Sequence, residues 1–357
     1  MMRPRTRVEK FTALILAAMV TVAMAGCGSG TTASNGASAA SSGPPEFDRI
    51  VTAAESEGSV TLYTPAQQSV VDAWTAGFQA AYPRIKLSVF RASPGQLIAK
   101  MATDDQAQIA GADVIVTSLD GPTSTTATLE AQGKLTALTG PRLKDKDFQA
   151  AMESPNRFYV YASAFGWAWN TDLLPNGIHS WQDFLDASLA NGKVAVWDPS
   201  ISALLPKAYD AVVTASGDGN YMARLAEQKP GIYPSSEALE NAVAAGEVAA
   251  TMFATKRTLT LKDQGAPVGF ATPPQPSGVA GIEGGVLKAA AHPNAAQVLA
   301  NWLASEDGQK CVLVSGTPAR SNVPGNDIDF ATLKPTIPVT PEQQKAFVDK
   351  FNALFHK

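Results

Sequence analysis

Strand-like and helix-like segments alternate closely over residues 59–132, and this alternation limits the fold more than any other feature. Residues 59–63 read as a strand. After the break at Thr64 and Pro65, Val70, Trp74, Phe78 and Tyr82 recur at helical spacing, and Pro83 ends that helix. Residues 86–91 form a second strand, and Ser93, Pro94 and Gly95 open a second helix. Residues 112–116 are a third, continuously apolar strand, and 123–132 a third helix stopped by Gly133. Strand–helix units joined this closely build a parallel sheet covered on both faces.

The theme returns further on. Residues 192–197, 248–253, 267–271 and 285–290 read as strands, and 202–216 and 235–245 as helices, the latter closed by Gly246. A long helix starts at Pro293 and carries Val298, Trp302 and Leu303. The last helix opens with Thr340 as N-cap, Pro341 in first position and Gln343 three residues after the cap. Phe347, Phe351, Leu354 and Phe355 form its buried stripe. Two α/β lobes fit this length better than one very wide sheet.

Ahead of this body, Arg3, Arg5, Arg7 and Lys10 precede an apolar run from Phe11 to Ala25, the layout of a secretory signal. The run falls short of the roughly 20 apolar residues that a membrane span needs. Met24, Ala25, Gly26 and Cys27 resemble a bacterial lipobox, in which the thiol is lipidated and becomes the new N-terminus; Met24 stands where that pattern more often has Leu. The alternative is a plain secreted protein with an incidental cysteine. Residues 28–45 contain only Gly, Ser, Thr, Ala, Asn and Pro, so they have nothing to bury. As a random coil they reach about 25 Å, the scale of a leash. The expected layout is a signal peptide over 1–26, then lipidated Cys27 and a linker over 27–45. The protein is expected outside the cytoplasm, anchored to the bacterial cell membrane.

Removing the signal takes four basic residues and Glu9 from totals of 28 and 32, leaving 24 against 31, a net charge of −7. A mildly acidic body argues against nucleic acid as a partner. The cysteines are Cys27 and Cys311. With Cys27 lipidated no disulfide closes within the chain, and Cys311 reads as a buried structural thiol.

No G-x-S-x-G, H-E-x-x-H, C-x-x-C or Walker-type loop occurs. His179, His292 and His356 are too scattered for a metal cluster, and no cofactor or metal is expected. His292, just before Pro293, reads as a capping or surface residue. Polar loops stand instead at the carboxyl ends of strands: residues 64–67, 93–96, 117–120 and 200–202. Ligands of open α/β sheets bind outside those ends, where helix N-termini offer N–H groups. Each Ser or Thr alone is as well explained as an N-cap. Four such loops outline a pocket, with Thr64, Ser93, Gly95, Thr117, Ser118, Asp120, Ser200 and Ser202 as candidate contacts and Trp169 and Phe253 as candidate walls.

Short stretches then recur in a telling order: AAESEG at 53–58, FQAAYP at 78–83, ADV at 112–114, WNT at 169–171 and SWQDFLD at 180–186. GKVA at 192–195 precedes Asp198 and Pro199; YPSS at 233–236, VAAGEVA at 243–249 and KAAAHPNAA at 288–296 follow. Over nearly all of residues 46–356 the chain resembles the extracellular solute-binding proteins of ABC importers, in the branch of ferric-iron, thiamine, polyamine and 2-aminoethylphosphonate binders. The resemblance implies an α/β, two-lobed periplasmic-binding-protein-like (type II) fold, each lobe a mainly parallel sheet flanked by helices, with hinge strands between the lobes. Residues 46–160 and 272–325 would form lobe 1, and 161–271 and 326–357 lobe 2. It implies a ligand held in the cleft with the lobes closing over it. The implied partners are a small-molecule ligand and an ABC permease with its ATPase, the chain acting as a monomer.

Iron-binding members place two adjacent tyrosines shortly after the segment that resembles residues 246–249. Here those positions hold Lys256 and Arg257, and no adjacent tyrosine pair occurs in the chain. Two cations repel Fe³⁺ but pair with a carboxylate or phosphonate; a solvated first turn of a surface helix explains them equally. Asp120 gives the opposite hint, a carboxylate that could hold an amine, so a small anionic or zwitterionic solute is expected. Isolated tyrosines such as Tyr63, Tyr159 and Tyr161 read as core or pocket wall. A ligand-sensing or structural surface lipoprotein is the alternative role. An enzyme on the same fold would need a nucleophile–base pair in the cleft, and the sequence offers none.

Overall fold

The computed structural model describes residues 45–118, 124–326, 328–333 and 335–356. The signal, Cys27 and the linker up to residue 44 lie outside the described residues, as does Asp120.

The described chain enters through α1 (Pro45–Glu57) and alternates through β1 (Ser59–Thr64), α2 (Gln68–Ala81), β2 (Lys86–Arg91), α3 (Pro94–Ala107), β3 (Val114–Ser118) and α4 (Thr125–Ala131). A short β4 (Leu135–Thr136) and two 3-10 turns lead to β5 (Arg157–Ala164) and β6 (Gly166–Asn170). Then come β7 (Val194–Trp197), α5 (Leu205–Ser216), α6 (Tyr221–Glu227), β8 (Gly231–Tyr233), α7 (Ser236–Ala244), β9 (Ala250–Ala254), α8 (Arg257–Asp263) and β10 (Val268–Ala271). The chain returns through β11 (Val279–Leu287), α9 (Pro293–Leu303), α10 (Glu306–Lys310) and β12 (Thr317–Pro318), and ends in α11 (Pro341–Phe355). Among the described residues no helix is long and apolar enough to cross a membrane.

Two sheets result. The first runs β12, β5, β11, β3, β1, β2, with β4 added to β11; the second runs β10, β6, β9, β7, β8. Strand–helix units make the parallel trios β3–β1–β2 and β9–β7–β8. The remaining pairings are antiparallel, so the sheets are mixed rather than mainly parallel. The reason is the chain path: β5 carries the chain out of the first sheet and β11 brings it back, and they lie side by side. β11 also begins well before the expected 285, because Gly284 and Gly285 sit inside a strand whose register slips between Ile282 and Glu283.

The sheets meet at one residue. β5 ends at Ala164 in the first sheet and β6 starts at Gly166 in the second. Phe165, between them, donates its N–H to the Gly278 carbonyl on the returning strand at 2.8 Å. A third passage is tied on beside it, with Thr336 N–H donating to Val279 O at 2.8 Å and Val279 N–H to the Thr336 hydroxyl at 2.9 Å.

Each sheet carries its own core. In the first, Phe78 of α2 meets Trp302 of α9 edge to face, with ring centroids 5.6 Å apart. In the second, Tyr209 of α5 contacts Phe253 at 4.7 Å and Phe347 and Phe351 of α11 at 5.6 and 5.5 Å. Phe330 and Leu333 pack on the first core rather than the second; from the final stretch, α11 joins the second.

His292 holds the N-cap position of α9, as expected, but it is half-buried and its side chain makes no capping bond. Its Nδ1 lies 2.9 Å from the buried Asp113 carboxylate and its Nε2 3.0 Å from the Ser59 hydroxyl. A carboxylate only accepts, so Nδ1 carries the proton. Asp113 also accepts from the backbone N–H of Thr61 and of His292, tying β1, β3 and α9 together. Cys311 is half-buried; burial first and the nearby Asp307 second push its thiol up to about 11.

Gly166 opens β6 where the strands crowd. A Cβ there would stand 2.5 Å from the Ala271 carbonyl oxygen and 2.9 Å from the Phe270 ring. Backbone cannot step aside as a flexible side chain does. Gly166→Ala is expected to lower stability by about 1–3 kcal/mol, as overpacking does, read from the urea midpoint; an unchanged midpoint would show that the crossing is slack.

Candidate functional site

Where the two sheets face each other across Phe165, their strand ends and helix starts enclose a cavity of about 620 Å³, the size of a small-molecule site. The first lobe lines it with the β1–α2 loop at Ala66 and Gln67, the β2–α3 turn at Ser93 and Gly95, Ser118 at the end of β3, and Tyr161 and Ser163 of β5. The second lobe adds Trp197, the loop holding Ser200 and Ser202, Ser236 at the start of α7, and Thr255. Ser315 and Gln344 complete the wall.

Among the described lining residues there is no Asp, Glu, Lys, Arg or His. There are seven serines: 93, 118, 163, 200, 202, 236 and 315. Helices α2, α3, α5 and α7 begin at the cavity, and the first turn of a helix carries the positive end of its dipole and N–H groups without intrahelical partners. At Gly95, in the first turn of α3, a Cβ would meet nothing within 4 Å, which leaves the backbone open to a ligand.

Local chemistry sets these hydroxyls. Ser93 donates to the Gln96 side chain at 3.0 Å, and Gln96 also accepts the Ser93 N–H at 3.1 Å. Ser315 donates to the Gln67 side chain at 3.1 Å, and Ser163 to the Ser315 carbonyl at 3.2 Å. Tyr161 is buried in β5, and burial alone raises its phenol well above the usual value.

The residues expected from sequence divide cleanly. Ser93, Gly95, Ser118, Ser200 and Ser202 are brought together at the cavity. Thr64 and Thr117 are buried just beneath it: Thr64 accepts the Ala66 N–H at 3.2 Å and so shapes the loop, and Thr117 lies opposite Glu283 in the sheet. Trp169 and Phe253 are not walls. Their strands are packed beneath helices, so Phe253 lies against Tyr209 in the second core and the Trp169 indole against Gly177 and Gly269. Lys256 lines a separate cavity with Phe270 and Pro273.

Arg257 stands one layer behind the wall. Its guanidinium donates to the fully buried Glu240 at 2.9 Å and to Asn241 at 3.0 Å. Glu240 in turn accepts both the N–H and the hydroxyl of Thr255, each at 2.7 Å, and Thr255 lines the cavity. The first lobe has a counterpart: the buried Glu283 accepts from Ser124 at 2.7 Å, from Thr126 and from Arg157 at 3.2 Å, fixing the start of α4. No sequence signal separated these paired arginines from free ones, because their partners come from other elements. Ser236 lay within the YPSS stretch and Tyr161 was read as core or pocket wall, whereas Trp197 and Gln344 carried no local mark.

A family profile described as bacterial extracellular solute-binding protein matches residues 73–334. No curated protein matches the chain in sequence. Among solved structures, a substrate-binding protein of an ABC transporter from Agrobacterium tumefaciens has a TM-score of 0.67 at 16% identity, covering 85% of this chain and 97% of that one. The periplasmic binding protein AfuA from Actinobacillus pleuropneumoniae, with fructose-6-phosphate bound, gives 0.60 at 19% identity, covering 84% and 99%. Iron-bound HitA from Pseudomonas aeruginosa gives 0.57 at 22%, covering 84% and 98%. At these identities the likeness is one of fold.

Arg257→Ala should cost stability, not act on a ligand directly. Breaking a buried pair costs roughly 3–5 kcal/mol. Burial raises the Glu240 carboxyl above its ordinary value, with hydrogen bonds from Thr255 and Arg257 opposing. The folded state therefore holds that proton more tightly, and this contribution is full at low pH and lost as pH rises through the raised value. The variant's deficit in urea unfolding should be larger at pH 7 than at pH 4; an equal deficit would mean that Glu240 is not the buried charge left behind.

Proposed function

The chain belongs to the bacterial extracellular solute-binding proteins, and from that premise we propose that it captures a small phosphorylated or phosphonate-bearing solute in the interlobe cleft and hands it to an ABC permease. The observation that carries the ligand class is the lining: seven serines, four helix N-termini and no charged side chain among the described residues. Positive helix ends and N–H donors favour an anion and oppose a cation. A polyamine would need carboxylates, which the described lining does not hold. Ferric iron would need anionic oxygens; the chain has no adjacent tyrosine pair, and the described residues bring together no group of three His, Cys, Asp or Glu. Capture without conversion is supported by the family, which is one of solute-binding proteins.

Charge-assisted hydrogen bonds are worth roughly 1.5–3 kcal/mol each, so several together support affinity on the order of micromolar. Calorimetry should rank glycerol 3-phosphate, fructose 6-phosphate or 2-aminoethylphosphonate above maltose, spermidine and ferric citrate. A polyamine or neutral sugar as the best ligand would overturn the ligand class while leaving solute binding intact.

The protein works from the outer face of a membrane, held by lipid on Cys27. The net negative charge of the body disfavours adsorption to anionic lipid by any other route. Cys27→Ser should move the protein from the membrane fraction to the soluble extracytoplasmic fraction. Continued pelleting after a high-salt wash would refute the anchor.

A further inference from the structure

The last helix of the chain reaches the cleft. Gln344, in the first turn of α11, lines the cavity, and its amide donates to two carbonyls of the second lobe's serine loop, Pro199 at 3.0 Å and Ser200 at 3.1 Å. Both partners only accept, so the NH₂ end of the amide faces the loop.

Val339, just ahead of α11, adds one bond further along, its N–H donating to the Ala203 carbonyl at 2.9 Å; the rest of the loop's bonding is local. Ser200 N–H donates to the Asp198 carboxylate at 2.8 Å, Ile201 N–H to the Asp198 carbonyl at 3.3 Å, and Leu204 N–H to the Ser202 hydroxyl at 3.3 Å. Bonds of this kind fix the shape of a turn, not where it stands against the opposite lobe. Among the described residues, the hydrogen bonds that reach residues 199–202 from outside 198–205 are the two from Gln344. Ile201, 55% exposed, adds little packing. The same helix steadies the strand before the loop: Phe347 and Phe351 pack on Tyr209, whose hydroxyl donates to the Trp197 carbonyl.

We propose that Gln344 is a positioning residue of the ligand site: α11 sets where Ser200 and Ser202 stand, and the second lobe presents those hydroxyls only while Gln344 holds the loop. The inference rests on the cleft being the ligand site. Nothing near Gln344 in the sequence marks it, since the loop it holds lies some 145 positions earlier.

The test uses the mature protein in three forms. Gln344→Met keeps the length and loses both donors; Gln344→Lys puts back a donor for the two carbonyls. Hydrogen exchange without ligand should run roughly tenfold faster across residues 199–204 in Gln344→Met, from two lost hydrogen bonds, with α11 unchanged. Gln344→Lys should recover the protection. Titration with glycerol 3-phosphate, followed by indole emission, should show affinity falling roughly tenfold in Gln344→Met and returning in Gln344→Lys. Loop exchange at the wild-type rate in Gln344→Met overturns the proposal. So does an equal rise across α11 and the loop, which would mean that the helix had merely come undocked. If glycerol 3-phosphate does not bind the wild-type protein, the ligand class falls, and hydrogen exchange still decides on Gln344.

Discussion

The passage of the chain through Phe165 sets the geometry on which the site depends. One residue separates a strand of the first sheet from a strand of the second, and its N–H is bonded to the strand coming back. Two sheets joined this tightly share a crossing but not a core, so each buries its own aromatic cluster and the space between them stays open. Phe165 also lines that space, its ring edge-on to Trp197 at 5.5 Å. Hinge and cavity floor are thus made by the same side chain, and a ligand resting there touches the joint about which the lobes would move.

Around this joint charge and polarity are kept apart. Two arginines near the cleft are committed to buried carboxylates, Arg257 to Glu240 and Arg157 to Glu283, while Arg91 donates to the carbonyl of Ala66 in the lining at 2.7 Å. A buried pair contributes little net stability but penalises any arrangement that separates it. Here the pairs end in hydrogen bonds to Thr255 and to Ser124 and Thr126, so they hold the wall and the start of α4 in place. The described wall itself offers hydroxyls and helix ends. Fixed dipoles of this kind need little rearrangement when a ligand arrives, because folding has already oriented them.

Much of this was written locally. The N-cap at Thr340 with Pro341 and Gln343 is a three-residue instruction, and α11 begins there. Ser93 with Pro94 opens α3, and Gly217 and Gly246 adopt the left-handed conformation at helix ends. Serines at strand ends were legible because a strand end followed by a helix start is a local pattern. Lys256 and Arg257 misled for the complementary reason: the sequence shows two cations but not the buried carboxylate that one of them serves.

By itself the sequence determined the alternation of strands and helices, the two-lobed α/β body, and most of the serine loops at its centre. Each depends on residues within a few positions of one another, where periodicity and capping act. Only the tertiary structure decided that β5 and β11 lie antiparallel, that Trp169 and Phe253 go to a core and Tyr161 and Trp197 to the cleft, and that Gln344 holds a loop far back in the chain. Those outcomes rest on which distant surfaces meet, and they follow from packing two sheets about one shared crossing, which no local stretch of residues specifies.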